Sequence, residues 1–175
     1  MEPLIGFAAT TLVLRLLGRV RFARFNAWRP SMRGGLSVMF AMTGVVHFVP
    51  GYRESMVAMV PPVLPWPEAL VAATGVLELA GAVGLWVGPF RRAAAVCLAL
   101  LMLAMFPANI YATLNGIEFN GDSPEPLWIR TLIEVVWIGA AIAVATEPAR
   151  PTEPAHDRDV DEEDESARKE AEPIG

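Results

Sequence analysis

Residues 69–88 read ALVAATGVLELAGAVGLWVG, and Glu78 is their one ionisable side chain. A bilayer core is about 30 Å thick, and a helix rising about 1.5 Å per residue needs roughly 20 apolar residues to cross it. The stretch meets that length. It shows no period-2 alternation, so it reads as a helix rather than a barrel strand. Lipid offers the backbone no hydrogen bonds, so a spanning segment has to satisfy its amides internally. Two further stretches repeat the pattern: 93–114 (AAAVCLALLMLAMFPANIYATL) and 127–146 (LWIRTLIEVVWIGAAIAVAT). A fourth, 32–49, is slightly short but uncharged after Arg33. These four predict the core of an all-α, membrane-embedded bundle.

The rest of the chain fits around that core. Of 175 residues, 54% are hydrophobic and 19% charged, and mean hydropathy is +0.41. Soluble domains carry about 25% charged residues. The net charge of −5 comes from one end: residues 147–175 contribute −7 and residues 1–146 contribute +2. No basic face is available to read a nucleic-acid duplex. With Cys97 as the only cysteine, an internal disulfide or self-contained dithiol motif is excluded. Residues 147–175, with Pro148, Pro151, Pro154 and the acidic run 161–165, predict a disordered acidic tail.

Residues 4–17 are apolar apart from Arg15 near their end; Glu2 precedes them and Arg19, Arg21 and Arg24 follow. A secretory signal has the opposite charge order. The run is read as a retained extra helix within an N-terminal unit, 1–30, ahead of a membrane domain, 31–146. Orientation follows the arginines, which favour the cytoplasmic side. Arg19–Arg33 and the Arg91–Arg92 connection belong inside, so loops 50–68 and 115–126 face outward and the tail, 147–175, is cytoplasmic. Trp66 and Trp128 then fall at the outer boundary, and Trp28, Trp86 and Phe90 at the inner one. Tyr52, Met56, Met59 and Val60 share a face of a short outer helix, which Pro61, Pro62, Pro65 and Pro67 terminate.

Ionisable groups within a bilayer cost about 2.5–3.5 kcal/mol each on insertion scales, so each needs a reason. Glu78 lies near mid-depth, Arg130 about one turn inside the outer boundary, Glu134 one turn deeper, and Asn109 and His47 near the outer helix ends. All fall in the outer half or near the middle, which predicts a single polar pocket opening outward. Arg130 and Glu134 are spaced i,i+4 and can pair. Then either Glu78 is neutral or Arg130 is shared by both carboxylates. In both cases the site holds one proton, which suits a proton-coupled ligand such as a quinone. The alternative is a structural knot of the same residues cross-linking helices. Small residues around Glu78 predict that its helix is central and closely packed. Pro107 predicts a kink beside Asn109, and Cys97 reads as a small packing residue. A lone His47 does not make a metal site.

The order GVVHF (44–48), MVP (59–61), TGVLEL (74–79) and FPAN (106–109) resembles the DoxX-like family of small bacterial integral membrane proteins. The resemblance covers about residues 31–146 and implies a four-helix membrane bundle. His47, Glu78 and Asn109 match that family's polar motif positions. The family's name comes from a quinone-linked respiratory system, which implies a redox association. The expectation is a cell-membrane protein, redox-associated, binding a quinone or other amphipathic ligand through His47, Glu78, Asn109, Arg130 and Glu134. No catalytic residue, metal or intrinsic cofactor is assigned. The partners expected are membrane lipid and a redox protein that supplies electrons, with no nucleic acid. The alternative is a non-catalytic membrane scaffold or assembly factor. A transporter is less favoured, because paired broken-helix repeats are missing.

Overall fold

The computed structural model describes residues 2–20 and 27–147. Within them the regular structure is helical: α1 (Glu2–Val20), α2 (Trp28–Val46), α3 (Tyr52–Met59), α4 (Pro67–Gly84), α5 (Arg91–Leu114) and α6 (Leu127–Ala145). The all-α class expected from the sequence is therefore observed. Three helices, α4, α5 and α6, are long and apolar enough to cross a membrane, and only 17–22% of each is buried within the protein. Their remaining surface carries large apolar side chains such as Leu77, Val83, Leu100, Leu103, Leu132 and Val135. The tail beyond Glu147, together with Arg21 and Arg24, lies outside the described residues.

Local chemistry sets the boundaries. Pro67 opens α4 at a position where no intrahelical amide is required. α5 continues through Pro107 to Leu114, although the ring withholds a donor from the Leu103 carbonyl. The loop between α5 and α6 turns at Asn120 (φ 52°) and Gly121 (φ 87°), bracketed by the Phe119–Asp122 bridge. Two consecutive left-handed residues make the tight reversal for which Asn-Gly is suited.

Helices α2, α4, α5 and α6 close a ring: α2 packs on α4, α4 on α5, α5 on α6, and α6 back on α2, while α1 lies against α2 from outside. The sequence reading puts the Glu78 helix, α4, at the centre. The structure gives that place to α2, which buries Ser31, Gly34, Gly35, Leu36, Ser37, Met39, Phe40 and Gly44. Glycine explains it. A Cβ at Gly35 would meet Thr11 Oγ1 at 2.1 Å and the Phe7 carbonyl at 2.8 Å, so α1 lies almost backbone-to-backbone on α2. Leu36, Met39, Phe40, Leu85, Leu98, Ala141 and Val144 fill the interior.

The two ends of the ring differ. At the end where α2 and α5 begin, Glu147 meets Arg33 (3.2 Å) and Arg91 (3.8 Å). Arg91 also donates to the Glu147 carbonyl at 3.1 Å, and Arg29 to the Thr146 carbonyl at 3.2 Å. Arg33 stacks over Trp86 and Arg15 over Trp28, each 5.1 Å from the ring centroid. Glu147, expected as the first residue of a solvated tail, instead ties the exit of α6 to the starts of α2 and α5. At the other end α3 joins the 115–126 loop: Tyr52 packs edge-on against Phe119, and the Asn120 amide donates to Ser55 Oγ at 3.1 Å. Arg53 approaches Glu68 at 3.6 Å.

Candidate functional site

Gly44 on α2 and Gly75 on α4 bring these helices together. A Cβ on Gly75 would sit 2.6 Å from the His47 Cβ, and one on Gly44 would sit 3.1 Å from the Gly75 carbonyl. Such an approach lets side chains within a turn of the glycines meet across the interface. Thr43 Oγ1 donates to Glu78 Oε2 at 2.6 Å. His47 Nδ1 lies 2.8 Å from the Thr43 carbonyl and 3.9 Å from Glu78 Oε2. A carbonyl only accepts, so His47 Nδ1 carries a proton and donates it. His47 is 3% exposed and Glu78 4%, so the group is withdrawn from solvent.

A second group spans α5 and α6. Arg130 Nη1 donates to Asn109 Oδ1 at 2.8 Å. The expected Arg130–Glu134 pair does not form: no ion pair within 4 Å joins them among the described residues. The reason lies in helix geometry. Side chains lean toward a helix's N-terminus, so Arg130 reaches away from Glu134, which follows it. A basic residue preceding an acidic one at i,i+4 is also the weaker order. Nor does Arg130 reach Glu78 within ion-pair distance. The single pocket expected from the sequence is thus two groups on neighbouring helix pairs, Thr43–His47–Glu78 and Asn109–Arg130, with Glu134 on the same inward stripe of α6.

That stripe is chemically unusual. Arg130 Nε, Glu134 Oε1 and Trp137 Nε1 are all buried with no hydrogen-bond partner, as is Ser37 Oγ on the adjoining α2. Residues 130, 134 and 137 follow one another at i, i+4 and i+7, which places them on one face. Farther along, the face turns to Ala141 and Val144. So α6 presents two N–H donors and a carboxyl oxygen to the bundle in one half and small apolar side chains in the other. Buried polar atoms are nearly always paired, with protein groups, ordered water or a ligand; Thr11 Oγ1, Arg15 Nε and Arg33 Nε, away from this stripe, share the state of these three.

Thr43 and Trp137 are participants that the sequence reading missed. Thr43 was findable, one helical turn before His47 on the same face. Trp137 was not singled out, and nothing in the sequence marks its indole N–H as inward. The open groove along Leu127, Trp128, Thr131, Leu132 and Val135 runs on the outward face of α6, away from these groups. Cys97, expected to pack, is exposed on the surface of α5. Among the described residues no three His, Cys, Asp or Glu side chains are grouped to hold a metal ion.

Compared with known proteins, residues 36–145 match the model of a family described as a domain of unknown function, DUF8561. The matched span runs from within α2 to the last residue of α6, and so takes in all four helices of the ring. No curated protein and no solved structure matches the chain.

Proposed function

The chain belongs to the DUF8561 family, and from its helical core we propose an integral membrane protein that holds the polar head of an amphipathic ligand. In this reading α2, α4, α5 and α6 form a four-helix membrane bundle, with α1 as an extra helix beside it. α3 and the 115–126 loop face outward, and the Glu147–Arg33–Arg91 end faces the cytoplasm. The observation that carries the ligand reading is the buried, unpartnered set on α6: Arg130 Nε, Glu134 Oε1 and Trp137 Nε1. Two fixed donors and a carboxyl group suit a head with carbonyl oxygens that takes up protons, as a quinone has, and Asn109 steadies the guanidinium from α5. The apolar continuation of the stripe suits a hydrocarbon tail. The chain carries no redox centre of its own in this proposal, so electrons come from a partner protein.

Mass spectrometry of protein purified gently into nanodiscs tests it. A quinone or other isoprenoid or acyl lipid bound stoichiometrically to the wild type, and lost in Arg130→Leu and Glu134→Gln, is the expected result. Wild-type protein with no retained molecule, or variants that retain it, overturns the reading.

A second reading is supported by the hydrogen bonds themselves. Thr43–Glu78 and Asn109–Arg130 each tie one helix to its neighbour, as a membrane scaffold or assembly factor requires. Copurification of a protein partner that persists in folded pocket variants favours this reading.

A further inference from the structure

We propose that Thr43, His47 and Glu78 form a proton-exchange site in the bundle, working separately from Arg130 and the α6 stripe. The argument begins with the Thr43 hydroxyl. It lies 2.6 Å from Glu78 Oε2 and 3.2 Å from the Met39 carbonyl, with the Phe40 carbonyl at 3.5 Å. A hydroxyl has one proton to give and lone pairs to receive. When Glu78 is ionised, Thr43 donates to its carboxylate. When Glu78 is protonated, its O–H donates to Thr43 Oγ1, whose own proton turns to the Met39 carbonyl. Both states are hydrogen-bonded with no helix movement. A buried carboxyl group with a single fixed donor would lack that freedom, since one of its two states would be left unsatisfied.

His47 supplies the route. It caps the C-terminal end of α2. In its neutral form Nδ1 carries the proton given to the Thr43 carbonyl, so Nε2 is the free acceptor. A proton arriving at Nε2 makes the imidazolium. The Nδ1 proton then passes to Glu78 Oε2, 3.9 Å away, once the ring turns from the Thr43 carbonyl. The product is neutral imidazole protonated at Nε2 and a protonated Glu78, so one proton enters and one is delivered. Gly75 brings α4 directly against His47, because any Cβ there would meet the His47 Cβ at 2.6 Å.

The charged groups around Glu78 leave His47 as its exchange partner. α2 contributes His47 alone within ion-pair reach. On α3, Arg53 is turned to Glu68, and Glu54 to the Gly51 amide. On α5, Asn109 is engaged with Arg130. The α4 helix adds Glu68 at its exposed start.

The test is pH-jump infrared difference spectroscopy on delipidated, ligand-free protein in detergent, with Glu78→Gln, His47→Gln, Thr43→Val and Glu134→Gln. The expected result is a carboxylic-acid carbonyl band that appears and disappears with pH and is absent in Glu78→Gln. It should persist in Glu134→Gln, shift in frequency in Thr43→Val, and exchange about 100-fold more slowly in His47→Gln. A difference spectrum unchanged by Glu78→Gln overturns the site, and exchange kinetics unchanged by His47→Gln overturn the route. Circular dichroism confirms that each variant is folded. The measurement uses no ligand, so its failure leaves the α6 reading standing, and loss of that reading leaves this one standing.

Discussion

Arg130 shows how one side chain's partner decides its energetic role. A hydrogen bond to a charged group contributes about 1.5–3 kcal/mol, most visibly as the cost of orphaning the group left behind. Arg130→Leu removes the donor from Asn109 Oδ1, so a stability loss of that size is expected in detergent unfolding. Adding Asn109→Leu should cost little more, because the orphaned amide goes with it. A double-mutant cycle checks this, and strictly additive losses would contradict the contact. Glu54 makes a different residue-scale prediction on the short helix α3. Its own backbone amide and that of Gly51 hold its carboxyl below the ordinary 4.5. A carboxyl group lowered on folding stabilises fully above its unfolded value and loses that contribution as pH falls through the folded one. The first turn of α3 should therefore lose amide protection, measured against the intrinsic exchange rate at each pH, as pH falls below about 4.5. Glu54→Gln should abolish that pH dependence in hydrogen-exchange measurements.

At the scale of elements, the two ends of the ring are fastened differently. The α3 end is joined by an aromatic contact and a backbone-to-hydroxyl bond between a short helix and a loop. The opposite end is joined through Glu147, whose side chain is only 14% exposed between two arginines. Removing one member of a semi-buried charge network leaves the others without compensation. Glu147→Ala should lower stability by about 1–3 kcal/mol and loosen the last turn of α6, read as faster amide exchange over residues 142–146. If exchange there is unchanged, Glu147 does not tether the helix. Sequence reading missed this clamp because Glu147 looks like the start of a charged run. Its role depends on Arg33 and Arg91, more than fifty positions away.

The molecule as a whole is a ring of four helices with an added one, wearing apolar side chains on its outside. Three of these helices, α4, α5 and α6, are long and apolar enough to cross a membrane. Cysteine labelling tests the proposed sidedness. In a Cys97→Ser background, Glu118→Cys should react with an impermeant maleimide from outside intact cells. Gly88→Cys should react only after the membrane is opened. The reverse pattern would invert the topology and move the α6 polar half to the cytoplasmic side.

The chain's helical character and its long apolar stretches were legible before any coordinates. Residues 69–88, 93–114 and 127–146 overlap α4, α5 and α6 closely, because length and the backbone's need for hydrogen bonds are local properties. That His47, Glu78, Asn109, Arg130 and Glu134 need partners was equally readable, since the cost of burying a polar group belongs to the group itself. Which partner each one found was not. Helical period says that Arg130 and Glu134 share a face, but the lean of side chains and the reach of Asn109 from another helix separate them. Only the close approach at Gly44 and Gly75 gives Glu78 to Thr43, and only the packing of α6 turns the Trp137 N–H inward. Pairing across helices depends on how closely backbones far apart in sequence approach, and those separations exist only once the chain has folded.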